Sequence, residues 1–513
     1  MARYLLFNGR MKILLIHPPR SSVALAPDNM EPLALEVLAA TVPEHEVRIL
    51  DLRFECAGQL GRILLSFRPN LAGVTVNNSI HVRSSLQVVK NIRRTLPEAR
   101  IVVGGHHPTL VPRDFYMPAV DAIFLGWADK SFPAFVRALD GRDGGPFIPG
   151  VQGLKDGAPV QREAAACPLE AHEIPLPRRE LVIHYRRRYT DELGRRSYLV
   201  NTARGCPSRC TFCACWKAAG GRVLVRAAES VARELSAIPR GARIFFADDH
   251  TFSDTDRAGE LCQRLRHEGA GRYYAGYSRT DTVVRHPELF ERWRQAGLRE
   301  ITIGVEAASD ARLAGLRKGT CSAVNEEAIR ILHRLGINPC AHLLVDPDFG
   351  EEDFDELFDF VCRTNLSHPI FVVLTPLPGT ALYEAKRSQI NLPYEYFDFM
   401  HAIVPTRLDP ERFLTRFLRL YYGSYALRRN VRQRLQSLGI LPPTGGTRRE
   451  LPRPVPLITL AGWHVMAKPL AAKLRRHYAS IGKRQLSGSR TPSPPRRWPL
   501  RSWTGPLQHT SRP

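Results

Sequence analysis

Residues 201–216 read NTARGCPSRCTFCACW, and they carry Cys206, Cys210 and Cys213 in a CxxxCxxC spacing. The stretch is a loop rich in Gly, Pro and Ser that follows a strand-like run at 198–202, so its three thiolates can converge on one inorganic centre. Three thiolates would fill three irons of a four-iron cluster and leave the fourth open to a chelating ligand. The spacing therefore favours an iron–sulfur site.

A structural zinc site is the alternative interpretation of the same cysteines. Such sites are usually built from two separated halves, and the sequence shows no second CxxC or HxxxH half. Cys215 would complete a four-cysteine knuckle, but four cysteines within ten residues leave zinc little freedom to become tetrahedral. We interpret Cys215 as a packed thiol.

The loop, including Phe212 directly before the third cysteine, resembles the cluster-binding motif of the radical S-adenosylmethionine (SAM) superfamily. The resemblance implies a 4Fe–4S cluster whose open iron binds the amino and carboxylate groups of SAM. It also implies that the cluster gives one electron to SAM and releases a 5′-deoxyadenosyl radical. An electron donor of the flavodoxin or ferredoxin type is therefore an expected partner.

Residues 11–140 alternate apolar strand-like runs with helical patterns, which predicts a doubly wound α/β domain. The predicted strands are Lys12–His17, Glu46–Asp51, Leu71–Val76, Arg100–Gly105 and Ala119–Leu125, and the predicted helices are Pro32–Thr41, Val82–Leu96 and Lys130–Leu139. Ligands of such domains bind at the carboxyl ends of the strands.

The loops at these strand ends resemble those of the cobalamin-binding domain that precedes many radical SAM cores. The resemblance implies a Rossmann-like domain in which Asn78, Gly104, Gly105 and His106 bind cobalamin. Without the resemblance, the same pattern fits a nucleotide-binding or flavodoxin-like domain, and His106 would be an ordinary loop residue.

Two departures from that family are visible. The DxHxxG motif is absent, so we expect the cobalt to lack a histidine ligand from this domain. The family's acidic Gly-Glu-Gly-Glu turn is replaced by GWAD at 126–129.

Residues 141–192 carry Gly, Pro and Arg without periodicity, and we interpret them as a linker. A βα alternation resumes over 193–410 and predicts a partial (β/α)6 TIM-like barrel with its chemistry at the carboxyl ends of the strands. The predicted strands are Tyr198–Thr202, Arg243–Ala247, Tyr273–Tyr277, Glu300–Val305, Asn338–Val345 and Ile370–Leu374.

Candidate cofactor-binding residues stand at the ends of the second, third, fourth and sixth of these strands. They are Asp248, Asp249, Ser278, Arg279, Glu306 and Pro378. Asp248 and Asp249 suit the SAM ammonium group. Ser278 and Arg279 suit the SAM carboxylate, its ribose or the substrate. Glu306 and Pro378 resemble family positions that contact SAM. Asp248 and Glu306 directly follow apolar strands, which favours binding, whereas Asp249 could equally cap the next helix.

The net charge of +23 is concentrated near the C-terminus, where residues 425–513 hold eighteen Lys and Arg against one acidic residue. Residues 411–480 are predicted to be helical, and 481–513, rich in Pro, Ser and Arg, to be disordered. The basic amphipathic stretch 457–478 favours contact with an anionic membrane surface. A basic nucleic-acid-binding protein with a structural metal is the non-enzymatic alternative, which rests only on the tail charge.

The sequence has neither eighteen uninterrupted apolar residues nor a signal-peptide pattern. We therefore expect a cytoplasmic protein, with peripheral contact to the inner face of the membrane. Met11 reads like a natural start, and residues 1–10 are interpreted as an extension.

Over residues 11–410 the chain resembles cobalamin-dependent radical SAM enzymes, in particular hopanoid C-3 methylases. The resemblance implies a methyltransferase that acts on an unactivated carbon of a hydrophobic small molecule. Tetrapyrrole methylases or cyclases with the same cofactors are the alternative.

Overall fold

The computed structural model describes residues 9–24, 29–141, 147–160, 174–190, 196–268, 272–366 and 368–426, together with Leu474 and Tyr478. These residues form two α/β units, and both agree with the fold class that the sequence predicts.

The first unit is a sheet of order β2-β1-β3-β4-β5-β6-β7, in which β1 to β5 are parallel. Its strands are β1 (Lys12–His17), β2 (Glu46–Asp51), β3 (Leu71–Thr75), β4 (Arg100–Gly104), β5 (Ala122–Phe124), β6 (Val151–Lys155) and β7 (Ala158–Pro159). Its helices are α1 (Leu33–Ala40), α2 (Gln59–Phe67), α3 (Val82–Thr95), α4 (His106–Leu110) and α5 (Ser131–Leu139).

Helices cover both faces of this sheet, and β1 shows the consequence. Leu14 and Ile16 pack into the core on one face, whereas Ile13 and Leu15 pack into the core on the other. A parallel strand buried on both sides is apolar throughout, which explains the run KILLI. The strand order changes direction between β1 and β3, where doubly wound sheets bind ligands.

The linker interpretation of 141–192 is wrong for residues 151–159. β6 pairs antiparallel with β5, and β7 pairs antiparallel with β6, so this segment extends the first sheet. The sequence signal is weak because VQGLK is short and contains a glycine, which strands disfavour.

The second unit is a six-stranded parallel sheet of order β8-β11-β12-β13-β14-β15. Its strands, with the short hairpin β9/β10, are β8 (Tyr198–Val200), β9 (Ala203–Arg204), β10 (Leu224–Val225), β11 (Arg243–Phe246), β12 (Tyr273–Ser278), β13 (Leu298–Glu306), β14 (Asn338–Val345) and β15 (His368–Val373). Its helices are α6 (Cys215–Ala218), α7 (Ala228–Ser236), α8 (Thr255–Glu268), α9 (Thr280–Arg285), α10 (Pro287–Ala296), α11 (Asp310–Gly315), α12 (Ser322–Arg334), α13 (Glu351–Arg363), α14 (Ala381–Lys386) and α15 (Pro410–Ala426). The strands alternate with helices, as an incomplete barrel requires.

A buried charge network joins the two units. Glu31, whose side chain is fully buried, accepts hydrogen bonds from Arg186 at 2.7 Å and from the backbone N–H of Leu199 in β8 at 3.0 Å. Arg179 also pairs with Glu31 and donates to the Leu199 carbonyl at 2.7 Å. The loop before α1 is thereby fixed against the first strand of the barrel.

The predicted C-terminal helix is present as α15, while residues 427–473 lie outside the described residues. Leu474 and Tyr478 are buried in the barrel core, and the Tyr478 hydroxyl accepts a hydrogen bond from the Ala402 N–H at 2.9 Å. Within the basic amphipathic stretch 457–478, these two side chains therefore face the barrel core and not a membrane surface. Among the described residues, no helix has the length and apolarity needed to cross a membrane.

Candidate active site

One cavity of about 700 Å³ lies where the two units meet. Its wall is formed by the strand ends of the first unit, the cysteine loop and the strand ends of the barrel. The predicted site residues that line it are Asn78, Gly104, Gly105, His106, Cys206, Cys210, Cys213, Asp248, Asp249, Ser278, Arg279 and Glu306.

Pro378 is the exception, because it is not among the lining residues of the cavity. It is buried in the turn between β15 and α14, where the neighbouring Gly379 has φ 84° and packs on Leu110 of the first unit. This turn therefore forms a contact between the two units. Pro378 does not line the cavity with the other predicted residues.

The cysteine loop is held in place by backbone contacts. Thr211 N–H donates to the Leu316 carbonyl at 3.0 Å, and the Trp216 indole donates to the Cys210 carbonyl at 3.1 Å. Gly205 has φ 82°, and a Cβ there would overlap the Arg222 carbonyl. Only glycine fits this turn, which starts the loop one residue before Cys206.

The three thiols have different electrostatic surroundings. Burial raises the pKa of Cys206 and of Cys210, whereas a hydrogen bond from Cys215 lowers the pKa of Cys213. Cys215 is thus a donor to a predicted ligand, which fits its interpretation as a packed thiol. Among the described residues, no group of three His, Cys, Asp or Glu side chains has the arrangement that would hold a single metal ion.

The donor set fits an iron–sulfur cluster. Cys206, Cys210 and Cys213 are all free thiols, all line the same cavity, and each of the first two interacts electrostatically with Cys213. Buried thiols with raised pKa values need a strongly positive centre to become thiolates, and cluster irons provide one.

Asp248 is committed to the start of the cysteine loop. Its side chain accepts hydrogen bonds from Thr202 N–H at 2.6 Å, Thr202 Oγ1 at 2.7 Å and Ala203 N–H at 2.9 Å. Burial raises the pKa of Asp248, although these bonds oppose the rise. Both carboxylate oxygens therefore position the loop, which differs from the ligand role that the apolar strand before Asp248 favoured.

Asp249 is the more accessible of the two aspartates. It is half-buried, and its Oδ2 accepts a hydrogen bond from Gly205 N–H at 3.0 Å. Asp249 meets the cavity next to the cysteines, while Asp248 supports the loop behind it. The geometry therefore favours Asp249 as the ligand, whereas the sequence pattern favoured Asp248.

Glu306 and Lys318 form a buried ion pair in the cavity wall. Lys318 Nζ lies 2.6 Å from Glu306 Oε1, and both side chains are 8% exposed. Glu306 has φ 65°, which is rare for a residue with a Cβ, and a Cβ at Gly304 would overlap both charged groups. Sequence reasoning missed Lys318 because it lies in a loop with no pattern, twelve residues after Glu306.

Arg279 is oriented by the same loop. It pairs with Asp281 at 2.9 Å and donates to the Lys318 carbonyl at 2.6 Å, while the Ser278 hydroxyl donates to the Arg279 carbonyl at 3.1 Å. Asp281 thus orients an arginine of the cavity wall.

The first unit contributes a glycine turn to the cavity. Gly105 has φ 119°, and a Cβ there would lie 2.7 Å from the Val76 carbonyl, so glycine is needed where the ends of β3 and β4 approach each other. The next turn is held by His107, whose ring contacts Ser79 Oγ at 3.0 Å and Asp114 Oδ2 at 2.9 Å. His106 is thereby left facing the cavity.

The cavity continues along the face of the first sheet. Its wall there comprises Leu15, Leu38, Gly73, Val102 and Phe132. Because His17 and His81 also line the cavity, the expectation that the cobalt lacks a histidine ligand from this domain stays a prediction.

A second buried ion pair connects the first unit directly to the cysteine loop. Arg204, two residues before Cys206, pairs with Asp129, and the two side chains are 5% and 6% exposed. The guanidinium also lies 4.5 Å from the Trp127 ring, which contacts the His106 ring edge-on at 6.2 Å. The GWAD turn, which departs from the family in sequence, thus links both sides of the cavity.

The fold and site together define an enzyme with two cofactor sites on one cavity. One side offers three thiols for an iron–sulfur cluster, and the other offers the strand ends of a doubly wound sheet.

Comparisons with known proteins agree with this class. The profile of the Radical SAM superfamily matches residues 200–361, and that of the B12 binding domain matches residues 20–136. The chain thus combines a B12 binding domain with a radical SAM domain, as cobalamin-dependent radical SAM enzymes do, and it is an enzyme of the radical SAM methyltransferase kind. Its cofactors are a 4Fe–4S cluster, SAM and cobalamin.

Three individual relatives are each less than 30% identical to this chain. The hopanoid C-3 methylase of Methylococcus capsulatus is 29% identical over 413 residues, which are 79% of this chain and 78% of that protein. The anaerobic magnesium-protoporphyrin IX monomethyl ester cyclase of Synechocystis is 23% identical over 78% of this chain and 83% of that protein. The cobalamin-dependent SAM radical enzyme OxsB, solved with aqua-cobalamin and SAM bound, superposes with a TM-score of 0.65 at 15% identity, over 93% of this chain and 80% of that one. The last comparison establishes a shared fold.

Proposed function

We propose that the protein adds a methyl group to an unactivated carbon of a hydrophobic small molecule, of the hopanoid lipid type. The observation that carries the proposal is the single cavity on which the cysteine loop and the strand ends of the B12 binding domain meet. The 29% identity to a hopanoid C-3 methylase supports the substrate class.

Each wall of the cavity has a separate task. When bound, the cluster supplies an electron to SAM for radical formation, and cobalamin carries the methyl group to be transferred. Cys206, Cys210 and Cys213 hold the cluster, while Asp249, Ser278, Arg279 and Glu306 bind and orient SAM. On the facing wall Asn78, Gly104, Gly105 and His106 hold cobalamin. Hydrogen abstraction by a carbon radical needs no general base, and the sequence offers no recognisable acid/base or nucleophile triad.

An apolar region of the wall supports a hydrophobic substrate. Leu33, Leu199 and Phe245 belong to one buried cluster at the junction of the two units, and Met30 and Tyr277 pack against it. All five line the cavity between the strand ends of the two units. Apolar side chains here exclude water from a radical and favour a hydrocarbon substrate by roughly 25 cal/mol per Å² of buried surface.

A tetrapyrrole substrate, with methylation or cyclisation as the reaction, is the second candidate. It is favoured by the similarity to the Synechocystis cyclase and by the same apolar wall, which a flat macrocycle would also satisfy.

Anaerobic reconstitution with iron and sulfide, followed by reductant, SAM, cobalamin and a hopanoid, tests the proposal. We expect 5′-deoxyadenosine and methylated hopanoid to form together, because both cofactor sites face one cavity. A parallel reaction with a magnesium porphyrin ester is the control for substrate class. Deoxyadenosine without any methylated product would contradict methyl transfer and favour cyclase chemistry.

We further propose that the protein works in the cytoplasm and meets its lipid substrate at the inner face of the membrane through the basic segment 457–473. We expect the full chain to float with anionic liposomes and not with neutral ones. Neutralising Lys468 and Lys473 to Gln should weaken binding by about 2 kcal/mol, or roughly thirtyfold. The double variant Arg496→Gln with Arg497→Gln is the matched control. An equal loss of liposome binding in the two double variants would contradict a specific role for this segment.

A further inference from the structure

The outer side of the cysteine loop carries an exposed positive surface. Its cations are Arg209, Lys217, Arg222 and Arg317, which we call the cationic face. None of the four has an ion-pair partner within the described ranges of the chain, whereas Arg243, Arg312 and Arg363 of the barrel are paired. Charges that stabilise no partner within the fold remain available to an external one.

The four cations lie on the cysteine loop or directly beside segments that contact it. Arg209 lies within the CxxxC segment, and its guanidinium is 6.0 Å from the Trp216 ring, over which Lys217 Nζ lies at 4.9 Å. Arg209 Nη2 would lie 4.0 Å from a Cβ placed on Gly221, the residue directly before Arg222. Arg317 follows Leu316, whose carbonyl accepts hydrogen bonds from Thr211 between two of the cysteines.

Trp216 connects this face to the cluster ligands. Its indole N–H donates to the Cys210 carbonyl at 3.1 Å, and its ring is half-buried beneath the two cations. Electron transfer weakens steeply with distance, and a reductant that docks over Trp216 would lie next to a side chain that is hydrogen-bonded to a predicted cluster ligand. Val223, which is 37% exposed, adds an apolar contact beside Arg222.

We propose that the cationic face docks an acidic one-electron carrier protein that reduces the cluster. The inference rests on the proposed function, because SAM cleavage consumes one electron for each SAM. The carrier is oxidised by one electron, the cluster is reduced by one, and that electron breaks the carbon–sulfur bond of SAM. Positive and negative surfaces steer such encounters and raise the association rate by about ten- to a thousandfold at low salt.

Charge reversal tests the docking surface. The variant with Lys217→Glu and Arg222→Glu should be reduced at least about tenfold more slowly by reduced flavodoxin at low salt, followed by cluster absorbance in stopped flow. Its reduction by dithionite should match that of the unmodified protein, since a small reductant needs no docking surface. Arg240→Glu is the matched control, because this exposed arginine precedes β11 at the opposite end of the barrel.

The outcomes separate the two proposals. Equal flavodoxin rates in the variant and the unmodified protein, with SAM cleavage intact under dithionite, would overturn the docking surface alone. Absence of SAM cleavage under every reductant would instead overturn the proposed function. If the double reversal lowers iron content, Arg209→Gln with Arg317→Gln provides a milder variant, for which we expect a smaller loss that disappears at high salt.

Discussion

Replacing Cys213 with Ala is expected to abolish both the 4Fe–4S cluster and SAM cleavage. Cys213 is one of the three thiols predicted to hold the cluster at the cavity wall, and the variant would keep only two of them. Anaerobic reconstitution should yield about four irons per chain for the unmodified protein and background iron for the variant. Formation of 5′-deoxyadenosine should fall to the level of a reaction without protein.

Cys215→Ser is the matched control for that experiment. Cys215 lies only two residues away and donates a hydrogen bond to Cys213, a role that a serine hydroxyl can also fill. We therefore expect this variant to keep its four irons and its SAM cleavage. Loss of metal in the Cys215 variant, or zinc in place of iron in the unmodified protein, would contradict the three-cysteine cluster and favour the zinc alternative.

The sequence predicted the parallel strands closely because their signal is local. β1, β2 and β14 have the predicted bounds, since a mostly apolar run is visible within each single segment. The strand β6 was missed because a short strand with a central glycine lacks such a run. The cluster motif was likewise visible because all its ligands lie within eight residues.

Residue roles that depend on distant contacts were not predictable in this way. Asp248 directly follows an apolar strand, which favoured a ligand role, but its carboxylate bonds to a loop 45 residues earlier. Lys318 follows no strand, and it lines the cavity beside Glu306, whose backbone has a positive φ. Local pattern thus identified which loops meet at the cavity, while tertiary contacts decided which side chains face it.

Removing the carboxylate of Asp129 is expected to weaken both cofactor sites together. Asp129 pairs with Arg204 across 75 residues, and both side chains are almost completely buried. Asp129→Ala would leave the Arg204 guanidinium buried without its carboxylate, at a cost of about 3–5 kcal/mol. Because Arg204 also contacts Trp127, which touches His106, we expect lower thermal stability, lower iron content and weaker cobalamin binding.

Replacing both partners of the ion pair separates the cost of an unpaired buried charge from the loss of the contact between the first unit and the cysteine loop. In the double variant with Arg204→Met and Asp129→Leu, no charge is left buried, and replacing a buried ion pair by apolar residues is often neutral for stability. We therefore expect thermal stability to recover in the double variant. Cofactor loading should recover only in part, because the guanidinium that stacks on Trp127 and anchors the start of the cysteine loop is gone. If loading returns fully with stability, Arg204 and Asp129 serve folding alone, whereas persistent loss of both iron and cobalamin would establish that this pair aligns the two cofactor sites.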